Sequence, residues 1–443
     1  MDAIDRRDFL RMTGASLGAL LAEGAGTWLA GCASTGACDV APPPEKQARV
    51  LADLHAHPML NSWNMLSPLG VRNPDLALAV QSVLNETEIT WPSSHQARID
   101  MMCVAHFNMF DEWITMPTDP NPAAPANTIR MMNLLEEDLL RPKNRDCAVL
   151  ARDAAELEKI VKGPRTGPAF RTAVVHAMEG AHGIGGDPSV LDEMARRGLS
   201  MVTVTHFFHK GIGSAGNAYP FFPDAGGKYP NIGLSELGRC VVHRLEKMGL
   251  IIDISHGTLA TVEDILREVS CPVVASHSSA LALADHPYSL CDEHIQQIAR
   301  NGGLIGVIIM PYWLSNYSSE ALATRHGDLN DVVRTIVYVA KIAGVDRVAL
   351  GSDFGGYIVG PRDMTCLAQI GKLRQLLVKE FGEADTDRIV AQNVIDFFLA
   401  HWHYDPEWQR KPTAKTGACH ADANNARTPD CDHGTRPPDR TVR

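Results

Sequence analysis

The sequence predicts a (β/α)8 TIM barrel with its functional site at the C-terminal ends of the strands. Three observations carry that expectation. From Ala48 to about His403, short apolar runs of β type alternate with longer segments of helical period, the pattern of parallel βα units. The runs number eight, enough to close a barrel. Histidine, glutamate or aspartate recurs just past their ends, where such a barrel gathers its chemistry.

In chain order the expected strands are Arg49 to Leu54, Met101 to Phe107, Thr172 to Met178, Ser200 to Thr205, Leu250 to Ser255, Pro272 to Ser276, Leu304 to Met310 and Arg347 to Ser352. Each is a short apolar stretch of the length a buried parallel strand takes. Between them, Leu191 to Arg197, Glu236 to Met248, Leu259 to Glu268, Asp292 to Asn301 and Leu329 to Ala343 repeat apolar residues at three- and four-residue spacing and read as helices. This barrel domain is expected over 48–405.

The ends read differently. Asp5-Arg6-Arg7-Asp8-Phe9-Leu10-Arg11 resembles a twin-arginine export signature, and Leu29-Ala30-Gly31-Cys32 resembles a lipobox, so residues 1–32 are expected to be a signal peptide with Cys32 carrying lipid after cleavage. Glu23 and several glycines interrupt the apolar stretch between them and argue against a stable membrane span. Residues 33–47 then form a flexible tether, and the mature protein is expected on the periplasmic or cell-envelope side, touching the membrane through its lipid alone. Residues 406–443 are polar and read as a disordered tail in which Cys419, His420 and Cys431 are incidental.

Composition narrows the partners. The 443 residues are 45% hydrophobic and carry a formal net charge of -11, with no basic stripe to neutralise phosphates, so a small-molecule substrate is expected and no nucleic acid. The 10 cysteines include no CxxC pair, which excludes the usual cysteine zinc cluster. Barrels of this type commonly pair, so a homodimer is carried as an expectation without a legible interface.

Asp53-Leu54-His55-Ala56-His57 closes the first run. Side chains two apart on a strand share a face, so both imidazoles can reach one metal ion at the barrel mouth. One HxH is weak evidence, since histidines at strand ends are more often satisfied polar residues. Repetition changes the weighing: later runs end in Glu179, His256, His277 and Asp353. A two-metal site needs a bridging carboxylate, imidazoles on each ion and a spare carboxylate beside the attacking water, and this set supplies each part.

The order His-x-His, Glu179-Gly180, Thr205-His206, Asp253-Ile254-Ser255-His256, Ser276-His277-Ser278 and Gly351-Ser352-Asp353-Phe354 is similar to the membrane dipeptidase (renal dipeptidase, peptidase M19) family, within the amidohydrolase-like metal barrels. Gly233-Leu234-Ser235-Glu236-Leu237-Gly238, Gly302-Gly303-Leu304-Ile305-Gly306-Val307 and Gln392-Asn393-Val394, expected near the end of the last helix, extend the likeness over roughly 48–400. The resemblance implies that His55 and His57 hold one zinc ion, Glu179 bridges, and His256 with His277 hold a second. It implies that His206 lies by the scissile carbonyl and that Asp353 is the acid–base residue beside a metal-bridging hydroxide, both touching substrate. The implied activity is zinc-dependent cleavage of the amide bond of dipeptides or dipeptide-like small molecules.

Two positions depart from the family. His57 stands where dipeptidases carry aspartate, so a neutral ligand replaces an anion. His286-Pro287-Tyr288-Ser289 stands where the family has an arginine that clamps the substrate carboxylate, and its loss weighs against an ordinary dipeptide. Tyr288 is expected to donate a hydrogen bond to the substrate or stack on it, with Lys210 or Arg239 as replacement cations, although Arg239 falls in a helical stretch and reads as a surface residue. Lys210 to Asn231, rich in Gly, Pro, Phe and Tyr, is either a substrate-selecting loop or an ordinary long one. Two rival readings stay open: a metal-dependent hydrolase of another small amide, lactone or phosphoester, and a non-catalytic metal- or ligand-binding lipoprotein.

Overall fold

The computed structural model describes residues 48–59, 89–107, 111–112, 119–216, 231–316, 327–356, 358–364 and 366–408. The expected signal peptide with Cys32, the tether, most of the loop after Lys210 and the chain beyond Trp408 lie outside the described residues. Among the described residues no helix is long and apolar enough to cross a membrane.

The described strands are β1 (Ala52–Ala56), β2 (Met101–His106), β3 (Ala148–Leu150), β4 (Thr172–Glu179), β5 (Leu199–Thr203), β6 (Ile251–Asp253), β7 (Val274–Ser278), β8 (Leu304–Ile308) and β9 (Val348–Gly351). All pairings are parallel, and the ladder runs β1, β2, β4, β5, β6, β7, β8, β9 and back to β1. The sheet therefore closes as the expected eight-stranded barrel. Every residue of β1, β2, β4 and β5 is buried, because one face fills the barrel and the other lies under helices.

One strand was not legible in the sequence. β3 adds to the edge of β4 at its start, Ala148 opposite Thr172, before β5 takes over that edge. Of its three residues only Ala148 is buried, too little for a hydrophobic period to mark.

The helices Glu236–Met248, Leu259–Glu268 and Leu329–Ala343 coincide with expectation. Their starts are fixed by Ser235, Thr258 and Asp328, each accepting a backbone N–H of the first turn. Gly249 ends the first of them in a left-handed conformation that a side chain would resist. The triplet expected near the end of the last helix sits at its start instead. Asn393 opens Asn393–His401 after a π turn over Arg388–Gln392, and its amide donates to the carbonyls of Val345 (2.8 Å) and Val348 (2.9 Å). That bolts the helix to the entry of β9. The packed body also runs past the expected boundary at 405: Trp408 is buried, its indole donates to Asp192 at 2.7 Å, and Arg244 lies 4.6 Å from its ring centre.

His294, on the helix Asp292–Arg300, is 1% exposed with no hydrogen-bond partner for either ring nitrogen among the described residues. Burial lowers its pKa from 6.5 to about 4. The unfolded chain takes up a proton that the folded one refuses, so stability falls as pH drops from 6.5 towards 4, by about 3 kcal/mol at most. His294→Leu is expected to bring the denaturant midpoint at pH 5 closer to that at pH 7.5. An unchanged gap between the two midpoints would place the acid sensitivity elsewhere.

Candidate metal centre

Period-two alternation puts Asp53, His55 and His57 on one face of β1, towards the barrel interior. Glu179 ends β4, His206 follows β5, His256 follows β6, His277 lies in β7 and Asp353 follows β9. His256 and Asp353 sit at positive φ, 62° and 56°, turning sharply as they leave their strands. Backbone held in this sparsely populated region is a hallmark of functional sites.

The structure brings the predicted ligand residues together around one carboxylate. His55 Nε2 lies 3.1 Å and His256 Nε2 3.3 Å from Glu179 Oε1, with His206 Nε2 at 3.4 Å and His277 Nε2 at 3.7 Å from the same oxygen. His57 Nε2 is 3.4 Å from Glu179 Oε2 and 3.2 Å from Asp353 Oδ1. The imidazoles lie in two pairs: His55 and His57 Nε2 atoms are 3.1 Å apart, those of His256 and His277 2.9 Å. Two imidazoles on one tetrahedral zinc hold their nitrogens about 3.3 Å apart, so modest spreading accommodates an ion between each pair.

The donor set fits a metal on a second ground. Crowded, fully buried imidazoles with their Nε2 atoms facing one another have no neutral hydrogen-bonding solution that serves them all. Burial opposes the charge on Glu179, yet the imidazoles of His206, His55 and His57 hold its carboxyl well below the usual range. Burial likewise opposes protonation of His55, but the Glu179 carboxylate lifts its pKa to about 9. Burial, with His55 and His256 close by, pushes His277 well down. A cluster of this composition is built for cations.

Beside it, Glu112, which carried no signal in the sequence, accepts from His206 Nδ1 at 2.7 Å and from the amide of Phe207 at 3.2 Å. Burial opposes its ionisation, but His182 and His206 bring its pKa down to about 2, so it is an anion that orients His206 towards Glu179. Asp53, inside the quoted first motif but given no role there, accepts from Ser352 N at 2.8 Å and Ser352 Oγ at 2.5 Å. Its spacing two residues before His55 is repeated by Asp253 before Ser255, and that repeat was the available signal.

The residues proposed for carboxylate recognition are each engaged elsewhere, Arg239 on the outer surface where its helical stretch put it. The Tyr288 hydroxyl donates to the carbonyl of His277, and its ring packs against His256 and Trp313, centres 4.9 and 4.0 Å away, so it buttresses a ligand. Arg239 pairs with Asp264 and Glu268 on the outer helices. Lys210 is buried, which lowers its pKa to about 8, and its charge faces Glu112, Asp119 and Asp111.

Barrel and cluster define a class: (β/α)8 proteins with a histidine and carboxylate metal cradle at the strand ends. The sequence profile of the membrane dipeptidase family, peptidase family M19, matches residues 123–400, and the chain belongs to that family. Among curated proteins, a dipeptidase of Aspergillus oryzae (AclJ) is 32% identical over 51% of this chain and 50% of its own, and an uncharacterised dipeptidase of Schizosaccharomyces pombe is 30% identical over 52% and 56%. The chain thus spans about half the length of the curated relatives it matches. Solved structures share the fold: the probable dipeptidase PvdM of Pseudomonas aeruginosa (TM-score 0.59, 23% identity, 73% of this chain and 89% of that one), and a Rhodobacter sphaeroides metallopeptidase liganded with a phosphinate mimic of the dipeptide L-Ala-D-Ala (0.63, 19%, 81% and 100%). The profile match begins after β1, so His55 and His57 join the site on geometry alone: His57 N donates to Phe354 O at 2.8 Å and Asp353 N to His55 O at 2.9 Å.

Proposed function

We propose that this protein is a zinc-dependent hydrolase that cleaves the amide bond of dipeptides or dipeptide-like small molecules. The observation that carries the reading is the convergence of His55, His57, His206, His256 and His277 on Glu179 with Asp353 at their side. Family membership and the dipeptide mimic held by the Rhodobacter relative support the substrate class.

In this reading His55 and His57 hold one cation, His256 and His277 a second, and Glu179 lies between. Zinc bound there would supply an acidified water and polarise the scissile carbonyl. His206, held through Nδ1 by Glu112, presents Nε2 to the carbonyl oxygen as negative charge develops on it. Asp353 Oδ1 takes the proton from the attacking water and returns it to the leaving amine. No covalent intermediate is required.

A specific observation favours a second substrate range. With the Tyr288 hydroxyl committed to a backbone carbonyl, Arg239 paired on the outside and the Lys210 charge turned to Glu112, Asp119 and Asp111, the three side chains offered in place of the family's arginine are all engaged elsewhere. Cyclic amides, lactones or phosphoesters are the alternative. Export by the twin-arginine route with lipid on Cys32 completes the proposal, supported by the order of the two sequence signals.

The test is elemental analysis of the purified protein, then product release across L-L and L-D dipeptides, N-acyl amino acids, lactams and lactones. About two zinc ions per chain with dipeptide cleavage supports the first reading. Two metals with turnover only of carboxylate-free substrates moves the protein to the second, and metal without any turnover would leave a binding protein.

A further inference from the structure

His55, His277 and Asp253 each offer an atom within 4.8 Å of the others, which on composition alone resembles another metal site. The Ser276 hydroxyl occupies that position. Its oxygen is 2.6 Å from Asp253 Oδ2, 2.8 Å from His277 Nδ1, 3.2 Å from the Ser255 hydroxyl and 3.4 Å from His55 Nδ1. Asp253 also accepts from Thr203 Oγ1 (2.6 Å), Ser255 N (3.0 Å) and Ser276 N (2.8 Å), so as a carboxylate it is an acceptor filled on both oxygens. The single Ser276 proton therefore goes to Asp253, and towards the rings the hydroxyl can only accept. His277 Nδ1, and more weakly His55 Nδ1, must carry the hydrogen. In the neutral His277 ring that leaves the lone pair on Nε2 available, and both rings turn Nε2 towards Glu179.

We infer that Ser276 is a positioning residue shared by the two metal positions, fixing His277 and His55 with their Nδ1 atoms protonated so that both present Nε2 to the centre. The two rings it holds stack at 3.8 Å between centres and belong to different cation pairs in the proposed site. Their partners are held differently: His57 Nδ1 and His256 Nδ1 are buried with no hydrogen-bond partner among the described residues. Each position thus combines one anchored imidazole with one unanchored, and both anchors are the same oxygen. Loss of that oxygen weakens both positions together. The inference rests on the metal-centre reading above.

Two measurements test it. The first is zinc titration of the metal-free protein against a competing chelator. Ser276→Ala is expected to weaken both binding steps by about 10- to 100-fold, the usual effect of removing a group that orients a ligand. Thr203→Val, which removes a hydroxyl that donates to Asp253, is expected to weaken them less. Wild-type affinity at either step in Ser276→Ala overturns the sharing. The second needs no metal: long-range proton–nitrogen NMR of histidine-labelled, metal-free wild-type protein, with the His277 signals assigned by their loss in His277→Gln. The proton is expected on Nδ1 of His277, and a spectrum with it on Nε2 overturns the inference whether or not Ser276→Ala folds. A wild-type protein that takes up no zinc while His277 keeps its Nδ1 proton defeats the metal reading but sustains the role of Ser276 in fixing the ring.

Discussion

Asp353→Asn leaves metal content at the wild-type level and lowers kcat by about 10²- to 10⁴-fold, the span expected when a general acid–base group is removed. Asparagine keeps the shape and an oxygen next to His57, where Asp353 Oδ1 now lies 3.2 Å from Nε2, but it cannot take a proton from water and deliver it to an amine. The positive φ of 56° is also among the backbone conformations that asparagine tolerates best after glycine, so the substitution tests chemistry with little strain. Steady-state kinetics beside elemental analysis decides it. Surviving turnover would remove Asp353 from the proton path, and loss of metal would make it a ligand.

Glu179→Gln is expected to act one step earlier, abolishing metal uptake and with it activity. The carboxylate is the anion on which the imidazoles of both pairs converge, and an amide there offers one weak acceptor and two hydrogens aimed at ring nitrogens. The measurement is thermal melting with and without added zinc. Wild-type protein should gain stability by about 2.7 kcal/mol when free zinc is 100 times its dissociation constant, whereas the variant should not shift. A variant that is stabilised as strongly as wild type would show that the cations sit away from Glu179.

Both predictions concern residues legible in the sequence, and the reason is physical. Glu179, His256, His277 and Asp353 each lie at or just past the C-terminal end of an apolar strand whose length and period are set by burial on two faces, so their common placement can be deduced from spacing. The same logic gave the strands themselves, and it failed at β3, which has too little buried surface to impose a pattern. Glu112 was hidden for a different reason: it belongs to no strand end or motif, and its importance exists only through the approach of His206 from another part of the chain. Tyr288 shows the converse case. Its place in the sequence is where a substrate-binding residue is expected, but the direction of its hydroxyl depends on the packing of His256 and Trp313 around the ring, which no linear pattern encodes.

The contact between β1 and β9 is the seam of the barrel, where the beginning of the described chain meets its last strand. The ladder there is thin, a register of Asp53 opposite Leu350, and the Asp53 carboxylate reinforces it by gripping the backbone and hydroxyl of Ser352 across 299 positions of sequence. His55 and His57 ride on the near side of that seam and Asp353 on the far side. A cation held by His55 and His57 beside Glu179 would tie the first strand to the barrel interior, binding only the closed cylinder and lending it binding energy. Catalytic competence and completed folding then become a single event: a chain whose first strand has not yet docked has neither a closed wall nor a nucleophile, and so cannot hydrolyse anything prematurely.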